Sequence, residues 1–139
     1  NNKYDQNISF INTYNAIEEY NLSHFETVLS LVNRNIDAGV GTENDFILKA
    51  ICLRTLYDTP ERNQEALDLI EKAKTLNIIP NDYAYKQEGI TLLRLGKASE
   101  ASNAFKTYLS KLESQKEKSD FIYNEIDWAK KMIYKSGLM

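Results

Sequence analysis

Few side chains in this sequence are of the types and spacings that carry out chemistry. His24 is the only histidine, and it stands beside the predicted start of a helix, between Ser23 and Phe25. A catalytic histidine needs a second side chain that orients it, and the sequence has no nucleophile motif, phosphate-binding loop or metal-ligand spacing. We therefore expect His24 to be a surface or capping residue, and we expect no enzyme activity, no cofactor and no metal site.

The single cysteine and the acidic side chains are also better explained by structure than by reactivity. Cys52 lies in the apolar run 51–53, which predicts a buried thiol, and one cysteine can form neither an intramolecular disulfide nor a thiolate metal cluster. The carboxylates of Glu18, Glu19 and Asp45 are predicted to lie on solvated helix faces or at helix caps. No candidate catalytic group follows from these residues.

Composition is that of a soluble globular protein and argues against two classes of partner. The net charge is −3 with both signs interspersed, whereas a nucleic-acid-binding protein needs a basic patch or stripe. No apolar run approaches the roughly 18 residues of a membrane span. The chain begins with Asn1, so a leader was removed or the sequence was trimmed, and either a cytoplasmic or an exported protein is compatible with it. Frequent Asn, Ile, Lys and Tyr are typical of an AT-rich bacterial genome.

Hydrophobic periodicity predicts an all-α protein with about seven helices in a single domain of 139 residues. Nowhere does the sequence show the sustained alternation that a strand requires. The first helix has its apolar residues at helical spacing, which indicates an amphipathic helix. These residues are Ile8, Ile11, Tyr14, Ile17 and Tyr20.

Capping residues predict where the helices begin and end. Ser23, followed three residues later by Glu26, has the spacing of a capping box. Thr59 followed by Pro60 is a favourable helix start. At the other starts two residues are suitable: Thr42 or Asn44, Asn81 or Asp82, and Ser119 or Asp120. Gly96 and Gly137 stand where a C-cap glycine is expected.

The stretch 83–109 predicts a helical hairpin that resembles the tetratricopeptide repeat. Tyr85 takes the aromatic position of that pattern, Gly89 the small position, and Ala101 with Phe105 the Ala-x-x-x-Phe of the second helix. Gly96 matches the glycine at the turn between the helices. Two positions depart from the pattern, since Glu88 stands where Leu is usual and Tyr108 where a small residue is usual.

The resemblance implies an α-solenoid of stacked antiparallel helix pairs. Its best-matching repeat is 82–112, and a weaker copy with a long turn covers 44–80, where Phe46, Ala50 and Leu53 repeat the spacing. Residues 7–36 form a degenerate helix pair. Terminal units of such stacks need a capping helix, and 119–136 is predicted to be that cap, with Ile122, Ile126, Ala129 and Ile133 on one face.

In proteins of this family the first helix of each pair lines a concave groove that binds a partner. Carried onto this sequence, the groove candidates are Asn44, Ile47, Ile51, Arg54, Tyr83, Lys86, Ile90, Leu93 and Arg94. Trp128, on the last helix, is either a core anchor or an alternative binding hot spot. The apolar floor and basic margin of this set predict a partner with hydrophobic and acidic residues.

We therefore expect a protein–protein interaction module that binds a partner peptide or helix, as an adaptor or assembly factor. The alternative is a structural or regulatory domain of a larger enzyme or sensor. A homo-oligomer is compatible with either function.

Overall fold

The computed structural model describes residues 6–139, and every regular element in that range is an α-helix. This confirms the predicted all-α class and the predicted number of helices, which is seven over these residues. In chain order the helices are α1 (Gln6–Asn21), α2 (Phe25–Asp37), α3 (Glu43–Leu56), α4 (Pro60–Thr75), α5 (Asp82–Arg94), α6 (Ala98–Glu113) and α7 (Asp120–Gly137).

The helices group into two compact units, and the single domain stays a prediction. The first unit ends at Pro80 and contains α1 to α4, and the second runs from Asn81 to Met139 and contains α5 to α7. In the first unit α2 packs against both α1 and α3, and α3 packs against α4. In the second unit α6 packs against both α5 and α7. Within each unit, contacts between consecutive helices dominate.

Four of the predicted helix starts are confirmed by their caps. The side chains that accept a backbone N–H are those of Thr42, Thr59, Asn81 and Ser119. Thr42 and Asp45 form a reciprocal capping box at the start of α3. Pro60 occupies the first turn of α4, where its missing N–H removes no helical hydrogen bond.

The capping box predicted at Ser23 is wrong. Helix α2 begins after His24, whose side chain makes no capping hydrogen bond. Ser23 has a φ of 62°, a left-handed conformation, whereas an N-cap residue is normally extended. Its N–H donates to Tyr20 O at 2.9 Å, and that of His24 donates to Glu19 O at 2.9 Å. These two hydrogen bonds therefore satisfy carbonyl groups at the carboxyl end of α1, and Ser23 does not cap α2.

The connection between α3 and α4 is shorter than predicted. We expected a long turn because Ala50 and Ala66 are further apart than the corresponding Gly89 and Ala101. The helices instead take up the extra residues, since α3 continues to Leu56 and α4 begins at Pro60. A second small correction concerns the predicted C-cap at 137, because that glycine is the last residue of α7 and Leu138 is the C-cap.

Gly96 follows the end of α5 in the left-handed conformation that a C-cap glycine adopts, as the sequence predicts. Gly96 has a φ of 75°, which side chains disfavour and glycine adopts freely. Its N–H donates to Leu93 O at 3.0 Å, and the N–H of Lys97 donates to Leu92 O at 2.9 Å. This pair of bonds is the Schellman motif, which satisfies carbonyl groups at the end of α5.

Helices α5 and α6 cross closely at Gly89. A Cβ atom built on Gly89 would lie 2.6 Å from Phe105 Cδ1 and 2.7 Å from Phe105 Cζ. Two carbon atoms normally approach to about 3.5–4.0 Å, so the ring fits only because Gly89 has no side chain. Phe105 and Ala101 are both fully buried at this crossing.

One core cluster of the first unit is formed by α1, α2 and α3. Its buried residues are Ala16, Val28, Val32, Leu48 and Cys52. Cys52 is fully buried, as predicted, and burial raises the pKa of its thiol to about 12. Such a thiol stays protonated at neutral pH and is a poor nucleophile.

Candidate binding surface

Helix α5 leaves one sector accessible between two buried sides. Successive residues of a helix are rotated by about 100°. Ala84, Gln87 and Thr91 form one buried side, and Gly89 with Leu92 forms the other, which faces α6. The remaining sector contains the five groove candidates of this helix, and none of them is buried. They are Tyr83, Lys86, Ile90, Leu93 and Arg94, which we call the α5 row.

Lys86 differs from the rest of the row because its ammonium is held inside the second unit. Lys86 Nζ lies 2.6 Å from Glu125 Oε1 on α7, and the exposed fractions of the two side chains are only 18% and 13%. The same nitrogen lies 4.7 Å from the centre of the Trp128 ring and 5.7 Å from that of Tyr83. We predicted that Lys86 attracts an acidic partner at the margin of the groove. Glu125 already neutralises its ammonium, so Lys86 is less suited to that role.

Tyr108 completes this cluster from α6. Its hydroxyl donates to Glu125 Oε1 at 2.6 Å. Burial, together with the hydrogen bond to Glu125, raises the pKa of Tyr108 well above its ordinary value. The carboxylate of Glu125 thus accepts from two helices, and it joins α5, α6 and α7 through side chains.

Trp128 is partly buried and packs against the core of the second unit. Its ring meets Phe105 edge-on at 5.5 Å and Tyr108 edge-on at 6.4 Å between ring centres. It also packs against the buried cluster of α6 and α7. Ile126 and Ala129, predicted on the same apolar face of the last helix, are buried. These contacts are those of a core anchor, which was the first of the two roles expected for Trp128.

The groove candidates of α3 are placed differently from those of α5. Ile47, Ile51 and Arg54 are 2%, 3% and 6% exposed, and only Asn44 at the start of the helix is exposed. Helix α3 has buried residues on all its sides, among them Leu48, Ala50, Cys52 and Leu53. In the described conformation these three side chains present no surface to a partner.

Helix α1 presents its apolar residues outward, which the sequence did not reveal. Its exposed apolar side chains are Ile8, Phe10, Ile11, Tyr14 and Ile17. Four of these were predicted to form the apolar stripe of an amphipathic helix, and such a stripe normally points to the core. Here the inward positions are Asn12 and Ala16, which are buried.

A buried polar network explains this orientation of α1. Asn12 Nδ2 donates to Asn35 Oδ1 at 3.2 Å, and Asn35 Nδ2 donates to Thr13 Oγ1 at 2.9 Å and to Asp45 Oδ2 at 3.2 Å. Thr13 Oγ1 donates to Asp45 Oδ1 at 2.8 Å. Asn35 and Asp45 are fully buried. Since an unpaired buried polar group is costly, the network requires the polar side of α1 to face inward.

The remaining candidate groups form no reactive centre in the described residues. His24 Nδ1 lies 2.8 Å from Glu19 Oε2 in an exposed pair, with no third side chain shown to orient it. Across residues 6–139, no group of three or more His, Cys, Asp or Glu side chains is placed to hold a metal ion. Nor does this part of the chain contain a helix that is long and apolar enough to cross a membrane.

Comparison with known proteins adds no relative from which a site could be transferred. A scan against protein-family models finds no match, and a search of curated protein sequences also finds none.

Proposed function

We propose that this protein is a binding module built from tetratricopeptide-like helix pairs, and that it holds a peptide or helix of a partner protein on the α5 row. The observation that carries the proposal is the accessible sector of α5. That helix is buried on two sides, yet the side chains of Tyr83, Ile90 and Leu93 stay partly accessible between them. A row of apolar side chains on a helix whose two flanks are buried is a suitable docking surface.

The α5–α6 hairpin supports the repeat assignment. A small residue at the crossing, an aromatic ring filling the space above it, and a glycine at the turn are the features by which the stretch resembles the family. The hairpin has all three features, because Gly89 packs against the ring of Phe105 and Gly96 forms the Schellman turn. The resemblance also suggests that the first helix of a pair lines the binding groove, and α5 is that helix.

The chemistry of the row determines the kind of partner. Ile90, Leu93 and the ring of Tyr83 offer apolar contact, which supplies most of the binding free energy in such sites. Arg94 is exposed at the end of the row and gives the row a positive margin. Lys86 contributes little net charge, because Glu125 neutralises it. The partner segment is therefore mainly hydrophobic, with an acidic residue placed to meet Arg94.

A peptide-display selection on the full chain tests this proposal. Peptides that bind the wild type should be rich in large apolar residues with a nearby acidic residue. Leu93→Asp should weaken their binding, because burying a leucine contributes about 1.5–3 kcal/mol, which is roughly 10- to 100-fold in Kd. Isothermal titration calorimetry with one selected peptide measures the change.

Charge reversal elsewhere on the second unit provides the control. Arg94→Glu should weaken the same peptide and reduce the dependence of its binding on salt. Lys116→Glu reverses an exposed cation in the α6–α7 connection and should leave binding unchanged. If Leu93→Asp and Lys116→Glu bind the peptide equally well, the α5 row is not the binding surface.

A further inference from the structure

The segment that follows α4 carries two isoleucines at the protein surface. Every residue from 75 to 79 is exposed. The side chain of Ile78 is fully exposed, and that of Ile79 is 77% exposed. An apolar side chain contributes to stability only through the area that folding removes from water. These two isoleucines therefore add little to the stability of the first unit, and they can be replaced without disturbing its core.

The backbone of this segment is as accessible as its side chains. The N–H of Leu76 donates to Ala73 O at 3.1 Å at the end of α4. Beyond it, in the part of the chain that the structure describes, residues 77–80 take part in no hydrogen bond between backbone groups. Asn77 Nδ2 donates to Glu43 Oε1 at 2.9 Å, and this bond involves no peptide group. The peptide groups of the segment are therefore available to another molecule.

Two other connections carry an exposed aliphatic residue, and backbone hydrogen bonds hold both of these residues in place. Leu22, between α1 and α2, is 64% exposed, and its N–H donates to Glu19 O at 3.2 Å. Val40, between α2 and α3, is 42% exposed, and its N–H donates to Asn35 O at 3.0 Å. An exposed aliphatic side chain thus occurs in all three connections, but the accessible backbone beside it distinguishes 77–80 from the other two.

This combination is what an endoprotease requires of its substrate. An extended peptide binds through main-chain hydrogen bonds, and pockets for its side chains provide the specificity. A helix must first unfold to be bound in this way, so its cleavage is limited by the small population of the open state. Residues 77–80 need no such opening, because they have no helical hydrogen bonds to break.

We infer that the segment 77–79 is a processing site for an endoprotease that recognises aliphatic side chains. One water molecule is consumed, and the C–N bond of Asn77–Ile78 or of Ile78–Ile79 breaks. The first residue of the broken bond then carries a carboxylate and the second an amine. Ile78 and Ile79 supply the side chains for an apolar pocket of the protease.

The position of the cut leaves the helices whole. It lies between α4, which ends at Thr75, and the unit boundary after Pro80. The core cluster around Cys52 lies entirely before the cut, and the cluster around Ile126 lies entirely after it. Processing at 77–79 therefore cuts the covalent connection between the first unit and the α5 row without dividing either cluster.

Limited digestion of the full chain with thermolysin tests the inference. This protease cuts on the amino side of large aliphatic residues. The first two large fragments should be 1–77 with 78–139, or 1–78 with 79–139, identified by mass spectrometry. This cut should be faster than any cut inside a helix of the intact chain by about a thousand-fold, since helical sites must first unfold.

The double variant Ile78→Asp/Ile79→Asp should be cut at this segment about ten-fold more slowly or less, because a carboxylate is poorly accommodated in an apolar pocket. The matched control is Leu22→Asp, which replaces another exposed aliphatic residue and should be cut like the wild type. Circular dichroism before digestion checks that each variant is folded.

Two results would overturn the inference. One is a first large cut at Leu22, at Val40 or inside a helix. The other is a double variant that is cut at 77–79 as fast as the wild type. Peptide binding at the α5 row is a separate measurement, and its outcome does not depend on either result.

Discussion

Replacing Gly89 by alanine should destabilise the protein, although alanine is the better helix former. The new Cβ would lie 2.6 Å from Phe105 Cδ1, so the ring would have to move by about 1 Å to reach a normal contact distance. Phe105 is fully buried, and its ring centre lies 5.5 Å from that of Trp128, which leaves the Phe105 ring little space to move. Overpacking of this kind costs about 1–3 kcal/mol, and the helix propensity of alanine offsets about 1 kcal/mol. The expected net loss is therefore up to about 2 kcal/mol.

Urea unfolding followed by circular dichroism measures this loss. Gly137→Ala is the matched control, because a Cβ at Gly137 would meet no atom within 4 Å; it should leave stability unchanged or raise it slightly. The decisive comparison is Gly89→Ala in a Phe105→Leu background. There the obstructing ring is gone, so the alanine should be neutral or stabilising. An equal loss in both backgrounds, or a gain in the wild type, would refute the close crossing.

Two further predictions concern buried groups. Glu125→Gln should destabilise the protein by about 1–3 kcal/mol, because it leaves the largely buried Lys86 ammonium without its counter-charge. The control is Glu65→Gln, which breaks the exposed pair with Arg62 and should have no measurable effect in the same urea titration. A pKa raised from 9.0 to about 12 lowers the thiolate fraction of Cys52 at pH 8 about a thousand-fold. Cys52 should therefore react with a thiol reagent only as fast as the protein unfolds. A reaction rate equal to that of a free thiol would contradict its burial.

Local signals account for most of the fold that the sequence predicted. Thr59 followed by Pro60 opens α4, and Gly96 closes α5, because a capping hydrogen bond or a left-handed φ depends on residues only a few positions apart. The incorrect capping box at Ser23 also concerns residues only a few positions apart. There the end of α1 and the start of α2 compete for one short segment, and the sequence does not show which helix prevails.

Interactions between distant residues explain what the sequence did not predict. The inward side of α1 is set by Asn12 bonding to Asn35, 23 residues away, and by Thr13 bonding to Asp45, 32 residues away. Periodicity alone favoured the apolar side.

The same limitation affected the candidate site. The family pattern placed Lys86 on an accessible face of α5, but its partner Glu125 lies 39 residues further along the chain. The α3 candidates matched the same pattern and are buried, because a repeat pattern specifies the face of a helix and not what covers it.

The division into two units gives each unit its own natural reporter. The only tryptophan, Trp128, lies in the second unit, and the only cysteine, Cys52, lies in the first. Tryptophan emission therefore follows the unfolding of α5 to α7, whereas protection of the thiol follows that of α1 to α4. Coincident transitions of the two signals would mean that both units unfold as one cooperative system, and separate transitions would give each unit a free energy of unfolding of its own.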